Sequence, residues 1–183
     1  MKYIKWASWL PLFVVSIIAQ ALCYPLAPIA VLLADKGELP TGFKWMETPD
    51  NPLMGDKSHK QRWKNIRYEY SWLDSDYFQM VAWLWRNKAN SFRYYQLGRI
   101  PEGEIKLYGN PQTQSDNVDG HYGYRLTTCN NMWSLFGAFR LPDVKGYRVL
   151  FRTYLGWKMR SFKENSTERT MLAFNVSFRI RKI

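Results

Sequence analysis

The chain has 183 residues, 46% of them hydrophobic, and a formal net charge of +11, so it is long enough for one sizeable core beyond any membrane segment. Its two cysteines, Cys23 and Cys129, lie far apart with no Cys-x-x-Cys or Cys/His cluster around them, which excludes a disulfide framework and a structural zinc site as expectations. No nucleophile elbow, P-loop, dinucleotide fingerprint or metal-ligand set occurs, so no cofactor and no metal are expected.

Residues 1–34 read as a membrane anchor. Trp6 to Ala34 carries no charged side chain, and Lys2 and Lys5 precede it. Ala19-Gln20-Ala21 has the form of a signal cleavage site, but the apolar run continues from Leu22 to Ala34, and a chain beginning at Leu22 would expose a greasy end. Uncleaved, Trp6 to Tyr24 makes ~28 Å of helix, enough to span a bilayer core. Pro25 is expected to end that helix, because the residue before a proline is pushed toward extended geometry, and Pro28 to open a second short helix ending near Ala34. Two arrangements satisfy this pattern: a span followed by an interfacial helix, or a re-entrant wedge with its vertex at Tyr24 to Pro28. Trp6, Trp9 and Tyr24 are placed at the membrane interface.

Residues 35–60 form an interfacial, turn-rich loop, with Phe43 and Trp45 at the bilayer surface. Pro49 and Pro52 fix φ, while Asp50 and Asn51 favour turns. Asp50, Asn51 and Asp56 are the weak acidic-loop candidates for a hard-cation or acid/base site, although their spacing does not match a calcium loop.

Residues 61–183 read as a basic α+β domain. Asp74 or Ser75 can cap a helix from Asp76 to about Asn87, with Phe78, Val81, Ala82 and Trp85 on one stripe toward a core. An alternative gives Trp83 and Trp85 to lipid. Short strands are expected at Phe92–Leu97 and Ile105–Tyr108. From Tyr147 to Arg160 the sequence alternates with period two: Val149, Phe151, Leu155 and Trp157 fall on one face, Arg148, Arg152, Tyr154, Lys158 and Arg160 on the other. Arg169 to Lys182, with Phe174, Val176 and Phe178 opposite Arg179, and Met132 to Leu141 repeat the pattern. The expectation is an antiparallel meander whose apolar face packs under the Asp76–Asn87 helix. Its open face then presents Arg148, Arg152, Tyr154, Lys158, Arg160 and Arg179 as anion contacts. Residues 121–183 hold twelve Lys and Arg against three Asp and Glu, so the row has little acid to pair with.

Several blocks carry a resemblance: the anchor ending Tyr24-Pro25-Leu26-Ala27-Pro28, then Thr48-Pro49-Asp50-Asn51, Trp83-Leu84-Trp85-Arg86-Asn87 and Tyr154-Leu155-Gly156-Trp157-Lys158. Together they resemble a family of small proteins encoded by tailed bacteriophages. Members often have Pro after the Arg-Asn pair, where this chain has Lys88. The resemblance implies a phage product in an infected bacterium and supplies no catalytic residues to carry over; with the anchor, the expected location is the host inner membrane. The combined expectation is a non-enzymatic, membrane-anchored accessory protein contacting anionic lipid, a host envelope protein or a phage protein. Alternatives are a hydrolase or transferase using the Asp50–Asp56 loop, and a nucleic-acid tether at the membrane.

Overall fold

The computed structural model describes residues 2–57, 59, 75–113, 122–159 and 168–182. Arg160, His121, Asp74 and residues 161–167 lie outside them, as do the side chains of Arg179, Arg181 and Lys182. The chain is α+β, with an N-terminal apolar helix followed by a five-stranded antiparallel sheet. It divides into two compact units, Val14–Gln96 and Met1–Phe13 with Leu97–Ile183. Composition alone breaks the chain elsewhere, at residues 34 and 60, because hydropathy changes there while packing partners change at other positions.

In the unit Val14–Gln96, the long helix α2 (Trp9–Leu32) runs through Pro25 and Pro28 without stopping, so neither the helix end expected at Pro25 nor the wedge vertex is present. For Pro28 the reason is visible at the backbone. A proline lacks the N–H that would satisfy the carbonyl four residues earlier. For Pro28 that carbonyl is Tyr24, and the indole N–H of Trp85 donates to it at 3.1 Å. A neighbouring helix thus supplies the missing donor, which is how interior prolines are tolerated.

That neighbour is α3 (Asp76–Arg86). Ser75 caps it, the hydroxyl accepting from the Phe78 N–H at 3.2 Å, and the Asn87 N–H closes its end on the Trp83 carbonyl. Ser16, Ala19, Cys23, Ala27 and Ala30 recur every three or four residues on α2 and are buried. The side chains of Ala19, Cys23, Ala27 and Ala30 form a common core with Leu39, Met46, Val81 and Leu84. The buried stripe of α3 is Gln79, Val81, Ala82, Trp83 and Leu84, rotated slightly from the expected one. Trp83 does not face lipid. Its indole N–H donates to Thr48 Oγ1 at 2.8 Å, and its ring meets buried His59 edge-on at 5.2 Å. Between the helices, a 3-10 turn (Thr41–Met46) follows a tight reversal at Asp35–Glu38. Phe92–Gln96 is a π-helical turn rather than a strand, because Phe92 packs on Trp45 and the Arg93 N–H bonds locally to the Ala89 carbonyl.

In the other unit, β1 (Lys106–Gly109), β2 (Gly123–Thr128), β3 (Trp133–Arg140), β4 (Tyr147–Trp157) and β5 (Leu172–Lys182) pair in chain order as a simple meander. The first two helical turns, α1 (Lys2–Ala7), meet the start of α2 at Ser8. From there Trp9 packs on Trp133 and Phe13 on Phe174, with ring centroids 5.4 and 4.5 Å apart. The sheet therefore has a helix against one end of its Phe174 face. Gly156 permits this meander: its φ is +90°, and an added Cβ would run into the Trp133 carbonyl.

The register reverses the expected assignment of the sheet faces. Gly109, Arg125, Phe136, Tyr154 and Asn175 form one row across the five strands. This face is the covered one, with Phe136, Ala138, Leu150, Tyr154 and Ala173 buried together. The opposite face, expected to pack, leaves Phe139, Phe174, Val176, Phe178 and Ile180 exposed. Alternation fixes which residues share a face, but it does not say which face other parts of the chain cover.

Candidate functional site

Two features of the molecule can act on something outside it. The first is the surface of α2. Its small residues point into protein, Ala27 being 0% exposed, while its large residues point out, Leu10 at 61%, Ile18 at 56% and Leu32 at 71%. A helix of a water-soluble core shows the reverse order, because each large aliphatic side chain hidden from water contributes about 1.5–3 kcal/mol. Among the described residues, Tyr3–Leu32 is the one helical stretch long and apolar enough to cross a membrane.

The aromatic residues expected at the interface take different positions. Trp6 donates from its indole N–H to the Cys129 carbonyl at 3.1 Å and meets Tyr3 edge-on. Trp9 stacks on Phe13 at 5.0 Å. Tyr24 is exposed, with the Lys88 ammonium 5.1 Å above its ring. Phe43 and Trp45 are half-buried against the core of the α2–α3 unit, so they serve packing at least in part.

The second feature is the sheet with its basic residues, which are not displayed as one open row. The buried Arg125 guanidinium lies over the Phe136 ring at 5.9 Å and donates to the Tyr154 hydroxyl, and Phe136 meets Tyr154 edge-on at 5.3 Å. Burial pushes Arg125 below the usual arginine range, and the Tyr154 oxygen opposes that shift. Tyr154, 8% exposed, therefore presents no face on which a base could stack. Arg148 and Arg152 lie half-buried on the same face of β4, and Lys158 is exposed. Arg125, which closes this row, was not a candidate. Its strand β2 carries only a short Tyr-Arg-Leu-Thr-Thr signal between loop residues.

A basic cleft of about 350 Å³ lies beside the first helical turns and is lined by Lys5, Arg99, Glu102, Asn131 and Arg169. Its cations are engaged structurally. Arg99 donates to the carbonyls of Lys5 (2.9 Å) and Asn131 (2.7 Å) and to Ser8 Oγ (2.6 Å), and it stacks over Trp157 at 4.5 Å. Arg169 donates to the Gly98 carbonyl, and Lys5 pairs with Glu102 at 2.9 Å. Desolvation holds Arg99 below its usual range, countered by the Glu102 carboxylate.

Two of the acidic-loop candidates, Asp50 and Asn51, bond to each other, while Asp56 is held by His59 and Arg86. Asp50 is exposed and accepts from the Asn51 amide at 2.9 Å. Asp56 Oδ1 accepts from the His59 N–H at 2.7 Å and lies 3.7 Å from Arg86. Asn51 lines a shallow hollow of about 220 Å³ with Glu47, Thr48 and Trp83. Glu47 is turned to the Leu39 N–H at 3.1 Å. Among the described residues no group of three or more His, Cys, Asp or Glu side chains comes together as a metal site.

An α+β chain that joins a β-meander to an apolar helix of membrane-crossing length is the class these features define. Over residues 1–183, its whole length, the chain matches the model of DUF7338, a family of unknown function, and it belongs to that family. No curated protein and no solved structure matches it.

Proposed function

We propose that this chain is a membrane-embedded, non-enzymatic accessory protein that holds its β-meander at a bilayer surface and contacts a partner there. The observation that carries the reading is the inverted order of side chains on α2, small residues against protein and large aliphatic ones outward. Lipid tails accept that outer face at no cost, whereas water does not, and small-residue faces are what helices use to approach one another in membranes. Arginines saturated by carbonyls and carboxylates held by separate partners favour an interaction role over catalysis. The resemblance to phage-encoded proteins favours the inner membrane of an infected bacterium as the location.

The test is expression of the full chain in a bacterium, extraction of its membranes with alkaline carbonate, and intact-mass measurement. The expected result is an uncleaved chain that resists extraction. Release into the carbonate supernatant, or a mature chain starting at Leu22, would remove the reading.

A further inference from the structure

The meander ends on two edge strands of unequal character. β1 is 4 residues long and closes on Gly109 at φ +84°, so it offers little to pair with. β5 runs for 11 residues, and its outer edge carries a row of backbone groups. The Lys158 N–H donates to the Met171 carbonyl at 2.9 Å, and the Leu141 N–H to the Val149 carbonyl at 2.9 Å. Bonded and non-bonded pairs alternate along an antiparallel ladder. In the register of β4 and β5, Ala173, Asn175 and Ser177 therefore bond to β4, while the N–H and C=O groups of Phe174, Val176, Phe178 and Ile180 point outward. Among the described residues no group bonds to that outer side. Edge strands are usually blunted by a proline, a charge or a bulge, but Ala173 to Phe178 has no proline and no charge and pairs one-to-one with β4.

We infer that β5 is the joint of a twofold dimer, in which β5 of a second copy pairs antiparallel with it across Val176. A row of outward N–H and C=O groups on an extended backbone fits one kind of partner, another strand. The sequence of β5 selects which strand. With Val176 opposite Val176 of the second copy, Phe174 falls opposite Phe178 and Phe178 opposite Phe174, so apolar side chains pair and each outward N–H meets an outward C=O. Asn175 falls opposite Ser177, polar against polar. Arg179 falls opposite Ala173, so positions 179 of the two copies stand about 20 Å apart along the strands, beyond the ~8 Å over which charges act at physiological salt. A self-complementary patch of this kind is what a twofold interface requires. Two meanders then form one continuous sheet. The inference goes beyond the membrane reading and does not depend on it.

The experiment measures the mass of the full chain in mild detergent by light scattering, together with cross-linking of Val176→Cys under mild oxidation; Cys23 and Cys129 are buried. The expected mass is that of two copies. Val176→Cys should cross-link to itself, whereas Tyr108→Cys, also exposed but on β1, should not. Val176→Pro removes only an outward N–H, and Val176→Lys sets two cations opposite one another at an exposed position. Both should halve the mass with unchanged circular dichroism, and an equimolar mixture of the Val176→Lys and Val176→Glu variants should restore the dimer. A native chain with the mass of one copy at every concentration would overturn the inference. So would Val176→Cys that cross-links in membranes only to another protein, which would give the edge to a foreign strand. A dimer that survives Val176→Lys would place the joint elsewhere and overturn it, as would a mixture of the two folded variants that stays monomeric.

Discussion

Arg125 and Tyr154 meet across two strand pairings on the covered face of the meander, the guanidinium donating to the phenol oxygen with the Phe136 ring between them. A cation is tolerated at 4% exposure because the donor finds an acceptor and the ring face offers its negative quadrupole. Tyr154→Phe removes that acceptor while leaving the packing, so it is expected to destabilise the domain by about 1–2 kcal/mol. Arg125→Met, which removes charge and partner together, should cost less in the Tyr154→Phe background than in the native chain. Denaturant unfolding in mild detergent measures both.

The bond from Trp85 to the Tyr24 carbonyl gives a second prediction. Trp85→Phe should cost about 1 kcal/mol by leaving the Tyr24 carbonyl unpaired beside Pro28. In Pro28→Ala the helix recovers its own N–H donor for that carbonyl, so the same Trp85→Phe change should cost less. A double-mutant cycle read by thermal unfolding gives the coupling, and strict additivity would show that the indole bond does not compensate the proline.

The two sides of α2 should respond oppositely to size. Ala27→Leu overfills the contact with α3 and is expected to destabilise by about 1–3 kcal/mol. Ile18→Leu on the exposed side should change stability by less than about 0.5 kcal/mol. Equal costs would mean that both sides are packed.

Gly55 adopts φ +76°, and an added Cβ would stand 2.6 Å from the Trp83 ring and 3.0 Å from His59. Gly55→Ala is expected to cost at least about 1–3 kcal/mol, from left-handed strain and displacement of that ring pair. Trp83 fluorescence should move with it.

The acidic loop separates structure from catalysis. Asp56 accepts the His59 N–H in the manner of a helix cap, so Asp56→Ala should cost about 1 kcal/mol. Exposed Asp50→Ala should fall within about 0.5 kcal/mol of zero. Neither should abolish partner capture from infected cells, whereas loss of function in both at full stability would point to a shared site.

Much of this was legible in the sequence, and for local reasons. Period-two alternation located β3, β4 and β5, and Ser75 with the apolar stripe located α3, because strand and helix periodicities are properties of neighbouring residues. The length and apolarity of the N-terminal helix were legible for the same reason, since they are sums over a single stretch. Tertiary structure decided the rest. The proline signal at position 28 was met by an indole sixty-one residues from the Tyr24 carbonyl that the proline leaves unpaired. The apolar sheet face was left open at its Phe178 end and the arginine-bearing one covered, because Arg125, Phe136 and Tyr154 satisfy one another only once three strands are in register. A sequence states which side chains share a surface; which surface is covered depends on segments distant in the chain. That is why the exposed face of the meander became apparent only in the fold.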